Sequence, residues 1–194
     1  MKPGRVGAIL RETEGSAMNP SIKTWAVLGA ALAVLAAAPA SAEVSARTET
    51  GFTLTYSRAV SAPPEAIWAT VTRPADWWSD AHTYSGSAAN IRLDPAPGGC
   101  WCEDLPGGGV RHGEIVLAWP DRRMLRVDAP FGPLQALGAD AVLTMTWPDP
   151  EAGADRELRW TFVVQGQGVG AMADVIDGVI AEQFQRLGDR LNAD

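Results

Sequence analysis

The hydrophobic period of this chain changes from two to about 3.6 near residue 170, and this change limits the fold more than any other feature. Before it, residues 141–147 and 158–165 alternate apolar with polar side chains, which is typical of half-buried β-strands. After it, apolar residues recur every three or four positions from Met172 to Leu191 and predict one long amphipathic helix. Turn-forming residues at 148–155 predict that the two strands form a hairpin. The chain is therefore expected to end with paired strands followed by a single helix.

Five segments upstream also match the strands of an antiparallel sheet. They alternate or are bounded by turn residues, and they lie at 52–56, 90–94, 99–104, 111–119 and 124–129. Between the first two, the proline-rich start at 61–65 predicts a short helix, and residues 74–78 predict a second helical turn. Together these patterns predict an α+β fold with about seven antiparallel strands and with the helices on one face of the sheet.

The N-terminus has the pattern of a secretory signal peptide. Lys23 precedes an uninterrupted apolar run at 25–38, and Ala40 and Ala42 occupy the small-residue positions of a cleavage site before Glu43. This apolar run is shorter than the ~20 residues that a membrane-spanning helix needs. A cleaved signal peptide is therefore expected rather than a membrane anchor.

These features divide the chain into a signal peptide at 1–42 and a single domain at 43–194, which we expect to be secreted or periplasmic. Residues 1–17 carry two glutamates and do not resemble the start of a signal peptide, so Met18 is the expected first residue. The formal net charge of -7 argues against a nucleic-acid partner and against docking on anionic lipids. No stable membrane span is expected after cleavage.

The cysteines and histidines of the chain all lie between residues 82 and 112. In a strand, Cys100 and Cys102 project to one side, and pairing Cys102 with His112 in the following hairpin adds the imidazole to the same surface. Two thiolates and an imidazole, with His82 nearby, suit Zn²⁺ or a copper ion. Two alternatives stay open, namely a strained, redox-active Cys100–Cys102 disulfide and thiols without a chemical role. A register shift of one residue would move His112 to the opposite face.

Several segments occur in an order that is found in one known superfamily. They are SAPPEAIW at 61–68, the pair Trp77–Trp78, PGG at 97–99, GEIVLAWP at 113–120 and the closing helix. These segments resemble the START-like or SRPBCC superfamily, in the branch with heat-shock ATPase activator-like and polyketide cyclase-like domains. Within that branch, a secreted bacterial subgroup is similar in four pieces: WWSDAHTYSG at 77–86, GGCWCE at 98–103, VRH at 110–112 and GPLQ at 132–135. The resemblance implies a helix-grip fold, in which a curved antiparallel sheet wraps around the long C-terminal helix and encloses a cavity.

Several polar and aromatic residues are expected around this cavity. His82 and Tyr84 follow the tryptophan pair at the expected cavity mouth, where polar groups beside indole rings can orient a mostly apolar ligand. A loop that only satisfies its own backbone explains His82 and Tyr84 equally well. On the closing helix, Asp177 and Gln183 are polar groups at or near the apolar face, and each needs a partner. Most of the seven tryptophans after residue 42 are expected in the core. Those expected at the cavity are Trp77, Trp78 and Trp101.

The function that these patterns favour is an exported domain that encloses a small hydrophobic molecule between the sheet and the C-terminal helix. One alternative is a metal-binding or thiol-redox protein that uses the two cysteines and His112. Another is a cyclase-like enzyme in which His82, Tyr84 or Asp177 acts as acid or base. The chain contains no P-loop, no GxSxG nucleophile elbow and no HExxH motif. No pattern assigns a reaction.

Overall fold

The sheet begins with a strand that the sequence pattern did not predict. The computed structural model describes residues 41–152 and 154–193, and these contain eight strands instead of about seven. The additional strand, β1 (Ser41–Thr48), lies at the edge of the sheet, and its residues 45–48 are exposed. Its apolar residues Ala42, Val44 and Ala46 do alternate with polar ones, but two of the three are alanines, which are not typical of strands, so the pattern is too weak to predict a strand. The predicted signal peptide lies outside the described residues, apart from 41 and 42.

The other seven strands agree with the predicted segments. They are β2 (Gly51–Val60), β3 (Ile91–Leu93), β4 (Cys100–Leu105), β5 (Gly108–Trp119), β6 (Met124–Asp128), β7 (Asp140–Thr146) and β8 (Arg156–Gln165). All neighbouring strands are antiparallel, in the order β1-β2-β8-β7-β6-β5-β4-β3. The predicted hairpin of β7 and β8 is confirmed. Because β2 also pairs with β8, the second and the last strands of the chain lie side by side.

Helical segments connect the strands of this sheet. In the described residues the α-helices are α1 (Pro64–Val71), α2 (Pro133–Ala136) and α3 (Ala173–Leu191). Pro64 and Glu65 lie in the first turn of α1, as predicted, and a 3₁₀ turn at Pro74–Asp76 forms the second helical turn. Further 3₁₀ turns lie at Asp80–His82, Ala88–Asn90, Pro120–Arg122 and Val169–Met172. No helix in these ranges is long and apolar enough to cross a membrane.

The C-terminal helix α3 packs on β2 and α1 with the apolar face that the sequence predicted. Ile180, Phe184 and Leu187 of this face are at most 1% exposed, whereas Val175 on the outer side is 65% exposed. Burying an aliphatic or aromatic side chain of this size stabilises the fold by about 1.5–3 kcal/mol. The α+β class and the long C-terminal helix are therefore confirmed.

Aromatic side chains fill most of the space between α3 and the sheet. The ring of Trp77 lies 5.8 Å from that of Trp160 and 6.1 Å from that of Trp101, measured between centroids. Phe184 of α3 lies 5.4 Å from Trp160. Aromatic pairs of this kind add about 0.5–1.5 kcal/mol each to the burial of their surface. Trp77, Trp101 and Trp160 are thus packed in the core, and the cleft described next lies beside the N-terminal half of α3.

Candidate functional site

A cleft of about 260 Å³ lies between α3, the loop after the Pro74–Asp76 turn, and the segment that joins β6 to α2. Most of its wall is apolar, and its polar groups include two imidazoles and a phenol. The lining residues are Trp78, His82, Thr83, Tyr84, His112, Phe131, Gly132, Pro133, Ile176, Val179 and Ile180. Trp78, His82 and Tyr84 were predicted as ligand contacts, and the structure places all three in this wall.

A β-bulge turns His112 into the cleft. Trp101 pairs with Gly113 and Cys102 pairs with Arg111, so His112 is the extra residue between these two pairs. The predicted pairing of Cys102 with His112 is therefore wrong. A glycine is needed beside the bulge, because a Cβ on Gly113 would lie 2.7 Å from the carbonyl oxygen of Asp128. As a result His112 is only 6% exposed and belongs to the inner face of the sheet.

Glu103 is the partner of His112 and the main residue that sequence reasoning missed. Its carboxylate is fully buried and accepts hydrogen bonds from His112 Nε2 at 2.8 Å and from the backbone amides of Tyr84 and Ser85. Burial alone would raise the pKa of Glu103, but hydrogen bonds from Ser85, Tyr84 and His112 outweigh burial and lower it. An ionised Glu103 can only accept, so Nε2 of His112 carries the proton and Nδ1 keeps its lone pair when the ring is neutral.

A second imidazole lies at the mouth of the cleft. His82 Nε2 is 2.9 Å from the carboxylate of Glu182 on α3, and both side chains are partly exposed. The indole nitrogen of Trp78 donates to the carbonyl oxygen of His82 at 2.9 Å. A hydrogen bond from Ser79 and the proximity of His82 lower the pKa of Glu182. These contacts fix the loop of His82 against α3.

The two polar residues that were predicted on α3 bind other parts of the protein. The side-chain oxygen of Gln183 accepts from the Ser79 amide at 2.8 Å, and its nitrogen donates to the carbonyl oxygen of Val179. Asp177 accepts from the Tyr56 hydroxyl at 2.6 Å. Neither residue belongs to the lining of the cleft. Trp77 and Trp101 do not line it either, because they are packed in the core at 2% and 1% exposure.

The cysteines lie on the other face of the sheet from His112. Cys100 and Cys102 are joined by a disulfide, with their Cα atoms 5.4 Å apart, and both are partly buried. Strand alternation points them outward, whereas the bulge turns His112 inward, so the predicted Zn²⁺ or copper set is not assembled. Among residues 41–152 and 154–193, no group of three His, Cys, Asp or Glu side chains could hold a metal ion.

A second depression, of about 610 Å³, lies near the β1–β2 turn and the adjoining ends of β7 and β8. It is a wide surface groove, and the charged residues in its described lining are Arg47 and Asp140. Arg47 is already bound to Asp174 at 2.9 Å and to the carbonyl oxygen of Gly170. Although the groove is larger, the smaller cleft has the apolar walls and converging polar groups of a ligand site.

Comparison with protein-family models gives no match, and comparison with curated proteins gives none either. Among solved structures, the chain is similar to norcoclaurine synthase from Thalictrum flavum, with 15% identity and a TM-score of 0.52 over 73% of this chain and 87% of that one. It is also similar to a conserved protein of unknown function from Enterococcus faecalis, with 13% identity and a TM-score of 0.50 over 79% and 77%. A third similar structure is the protein XoxI from Bacillus cereus, with 14% identity and a TM-score of 0.50 over 72% of this chain and 94% of that one. At these identities the likeness is one of fold, and it agrees with the observed α+β architecture of an antiparallel sheet and a long C-terminal helix.

Proposed function

We propose that this protein binds a small, largely apolar molecule in the cleft beside the N-terminal half of α3. The observation that carries the proposal is the composition of the cleft wall. Trp78, Phe131, Ile176 and Ile180 supply apolar surface, while His112 supplies a polar group whose orientation is fixed by Glu103. Ligand sites in proteins typically combine apolar walls with a few well-placed polar groups in this way.

The size of the cleft limits the ligand. Its volume of about 260 Å³ is slightly below the common range of ~300–1,000 Å³ for small-molecule sites. We therefore expect a ligand with one or two rings, or an aliphatic chain of similar bulk. Its single polar group would lie near His112, and its apolar part would lie against Ile176 and Ile180 of α3.

Export is part of the proposal, and two features support it. The N-terminal segment has the pattern of a signal peptide, with expected cleavage before Glu43. The Cys100–Cys102 disulfide is a bond that persists in oxidising compartments and is rare in the cytosol. The likeness in fold to a protein named as a synthase supports a small-molecule site, but it assigns no ligand to this chain.

Binding of a fluorescent two-ring probe tests the proposal. The fluorescence of 2-naphthol, titrated with the mature protein, is expected to change with saturation. Ile176→Trp places a large ring in the cleft and should weaken binding at least ~10-fold, because overlapping atoms exclude the probe. Val175→Trp is the matched control, since Val175 is the preceding residue of α3 and is 65% exposed.

Two results would overturn the proposal. One is the absence of saturable binding of 2-naphthol and of other uncharged one- and two-ring compounds to the wild-type protein. The other is equal binding by the Ile176→Trp and Val175→Trp proteins. Native mass spectrometry of protein taken from its own compartment then identifies any molecule that copurifies with it.

A further inference from the structure

The buried pair of Glu103 and His112 is a costlier arrangement than holding one polar group of a ligand requires. A carboxylate removed from water is costly, and an apolar side chain would usually stabilise such a position at least as well. Glu103 is fully buried and bonds to His112 and to the amides of Tyr84 and Ser85. These protein groups enclose the carboxylate, so Glu103 does not line the cleft itself, and its effect on the chemistry of the cleft is exerted through His112.

Glu103 decides which nitrogen of His112 a ligand meets. Because the ionised carboxylate can only accept, Nε2 of His112 carries its proton toward Glu103. Among the described residues, no protein group forms a hydrogen bond with Nδ1 of His112. His112 also belongs to the lining of the cleft. In the neutral ring, the group that His112 offers to a ligand is therefore a lone pair on Nδ1, which is a base.

We propose that the cleft is catalytic, with Nδ1 of His112 as a general base that removes a proton from carbon in a bound, uncharged ring compound, and with Glu103 as its positioning residue. This inference rests on the proposed binding function, since the substrate has to occupy the same cleft. The substrate class is a carbon acid, meaning a molecule with a C–H bond next to a carbonyl or another electron-withdrawing group.

The proton-transfer step balances without any co-reactant. The C–H bond breaks and the N–H bond at Nδ1 forms. The electron pair of the C–H bond becomes the C=C bond of an enolate, and the π pair of the neighbouring carbonyl group moves onto its oxygen. The imidazolium that results is stabilised by the carboxylate of Glu103, 2.8 Å from Nε2. Return of the proton to another carbon of the same conjugated system completes an isomerisation and restores the neutral imidazole.

The surroundings of His112 favour this step. Phe131 lies 6.4 Å from the imidazole and Tyr84 lies 5.8 Å from it, between ring centroids, and the side chain of His112 is itself buried. The bulge and the bond to Glu103 fix the ring before any ligand arrives. A fixed base in a site of low water content is more effective than the same imidazole in solution.

The compound 5-nitrobenzisoxazole tests the inference, because removal of its one acidic C–H proton breaks the N–O bond and releases a coloured cyanophenolate. We expect the wild-type protein to accelerate this elimination at least ~100-fold over free imidazole at equal concentration. His112→Gln and His112→Asn, each checked for folding by circular dichroism, should lose at least ~10-fold in kcat while still binding the probe. Glu103→Gln should lower kcat with little change in KM. If Glu103 only supported the fold, its loss would not lower kcat selectively in this way. Glu114→Gln is the control, because Glu114 carries a partly exposed carboxylate on the outer side of the same hairpin, and this substitution should leave the rate unchanged.

The outcomes separate this inference from the proposed function. Binding of the probe without acceleration over either His112 variant overturns the catalytic role and leaves ligand binding standing. A rate in Glu103→Gln equal to the wild-type rate overturns the positioning role of Glu103. Failure of the probe and of 2-naphthol to bind overturns both the inference and the function on which it rests.

Discussion

Glu103 occupies a strand position at which the alternation of β4 would normally place an apolar side chain. Trp101, two residues earlier on the same face, is 1% exposed, and Glu103 is fully buried. The carboxylate is nevertheless satisfied, because it accepts from the amides of Tyr84 and Ser85 and from His112. Removing it would leave these donors without a partner, at a cost of about 1–3 kcal/mol for each buried group. Glu103 therefore holds both the loop at the cleft mouth and the imidazole inside it.

We expect Glu103→Gln to lower the free energy of unfolding near neutral pH by about 2–5 kcal/mol, because the new amide group faces N–H donors. The pKa of Glu103 in the folded protein is below its usual value of 4.5, so its contribution is present above that value and is lost as the pH falls through the folded pKa. Urea unfolding of both proteins from about pH 7 to about pH 3 measures the difference, which should shrink toward acid. A constant difference over this range would contradict the prediction. The control is Glu114, whose carboxylate is 44% exposed. Glu114→Gln should change the free energy of unfolding by less than ~1 kcal/mol at any of these pH values.

The hairpin of β4 and β5 shows what a periodic pattern can and cannot predict about an element. Alternation predicts both strands, but a period of two fits a regular ladder and a bulged one equally well until the partners are known. The choice depends on the packing of Gly113 against Asp128 of β6, which is a contact between strands that the pattern does not contain. The sequence pattern therefore could not predict that Cys102 pairs with Arg111 or that His112 faces the inside of the sheet. For β1 the same reason applies, because its pairing with β2 defines it and the alternation of Ala42, Val44 and Ala46 is weak on its own.

Gly113→Ala tests the bulge at the scale of the hairpin. A Cβ at this position would lie 2.7 Å from the Asp128 carbonyl oxygen and 2.9 Å from Cγ1 of Val127, so β5 has to shift away from β6. We expect a loss of about 1–3 kcal/mol in the free energy of unfolding and weaker binding of 2-naphthol, since His112 moves with the strand. Gly108→Ala in the same strand is the control, because nothing lies within 4 Å of a Cβ there. Equal effects of the two substitutions on stability and binding would count against the bulge as the device that positions His112.

Across the whole molecule, α3 joins parts of the chain that are distant in sequence. Gln183 binds the Ser79 amide, 104 residues away, and Arg186 donates to the carbonyl oxygen of Trp77 at 2.8 Å. The period of the sequence predicts α3, its buried face and the polar Gln183 within that face. It does not predict that Gln183 binds a loop instead of a ligand, because that depends on where the loop lies in space. The same holds for the tryptophans, whose number predicts a large aromatic core but not which single ring, Trp78, borders the cleft.

The compartment in which the protein folds should decide the state of the Cys100–Cys102 bond. The bond closes a ring of three residues, so it stabilises the fold by only about 1.5 kcal/mol, or ~3–6 °C in Tm. We expect exported protein, beginning at Glu43, to be about 2 Da lighter and more stable by this amount than residues 43–194 made in a reducing cytosol. Mass spectrometry gives the N-terminus and the redox state, and thermal unfolding gives the Tm. A variant with Cys100→Ser and Cys102→Ser should have the same Tm from both compartments. Exported protein that keeps residues 1–42, or that has two free thiols, would refute this link between the leader and the disulfide.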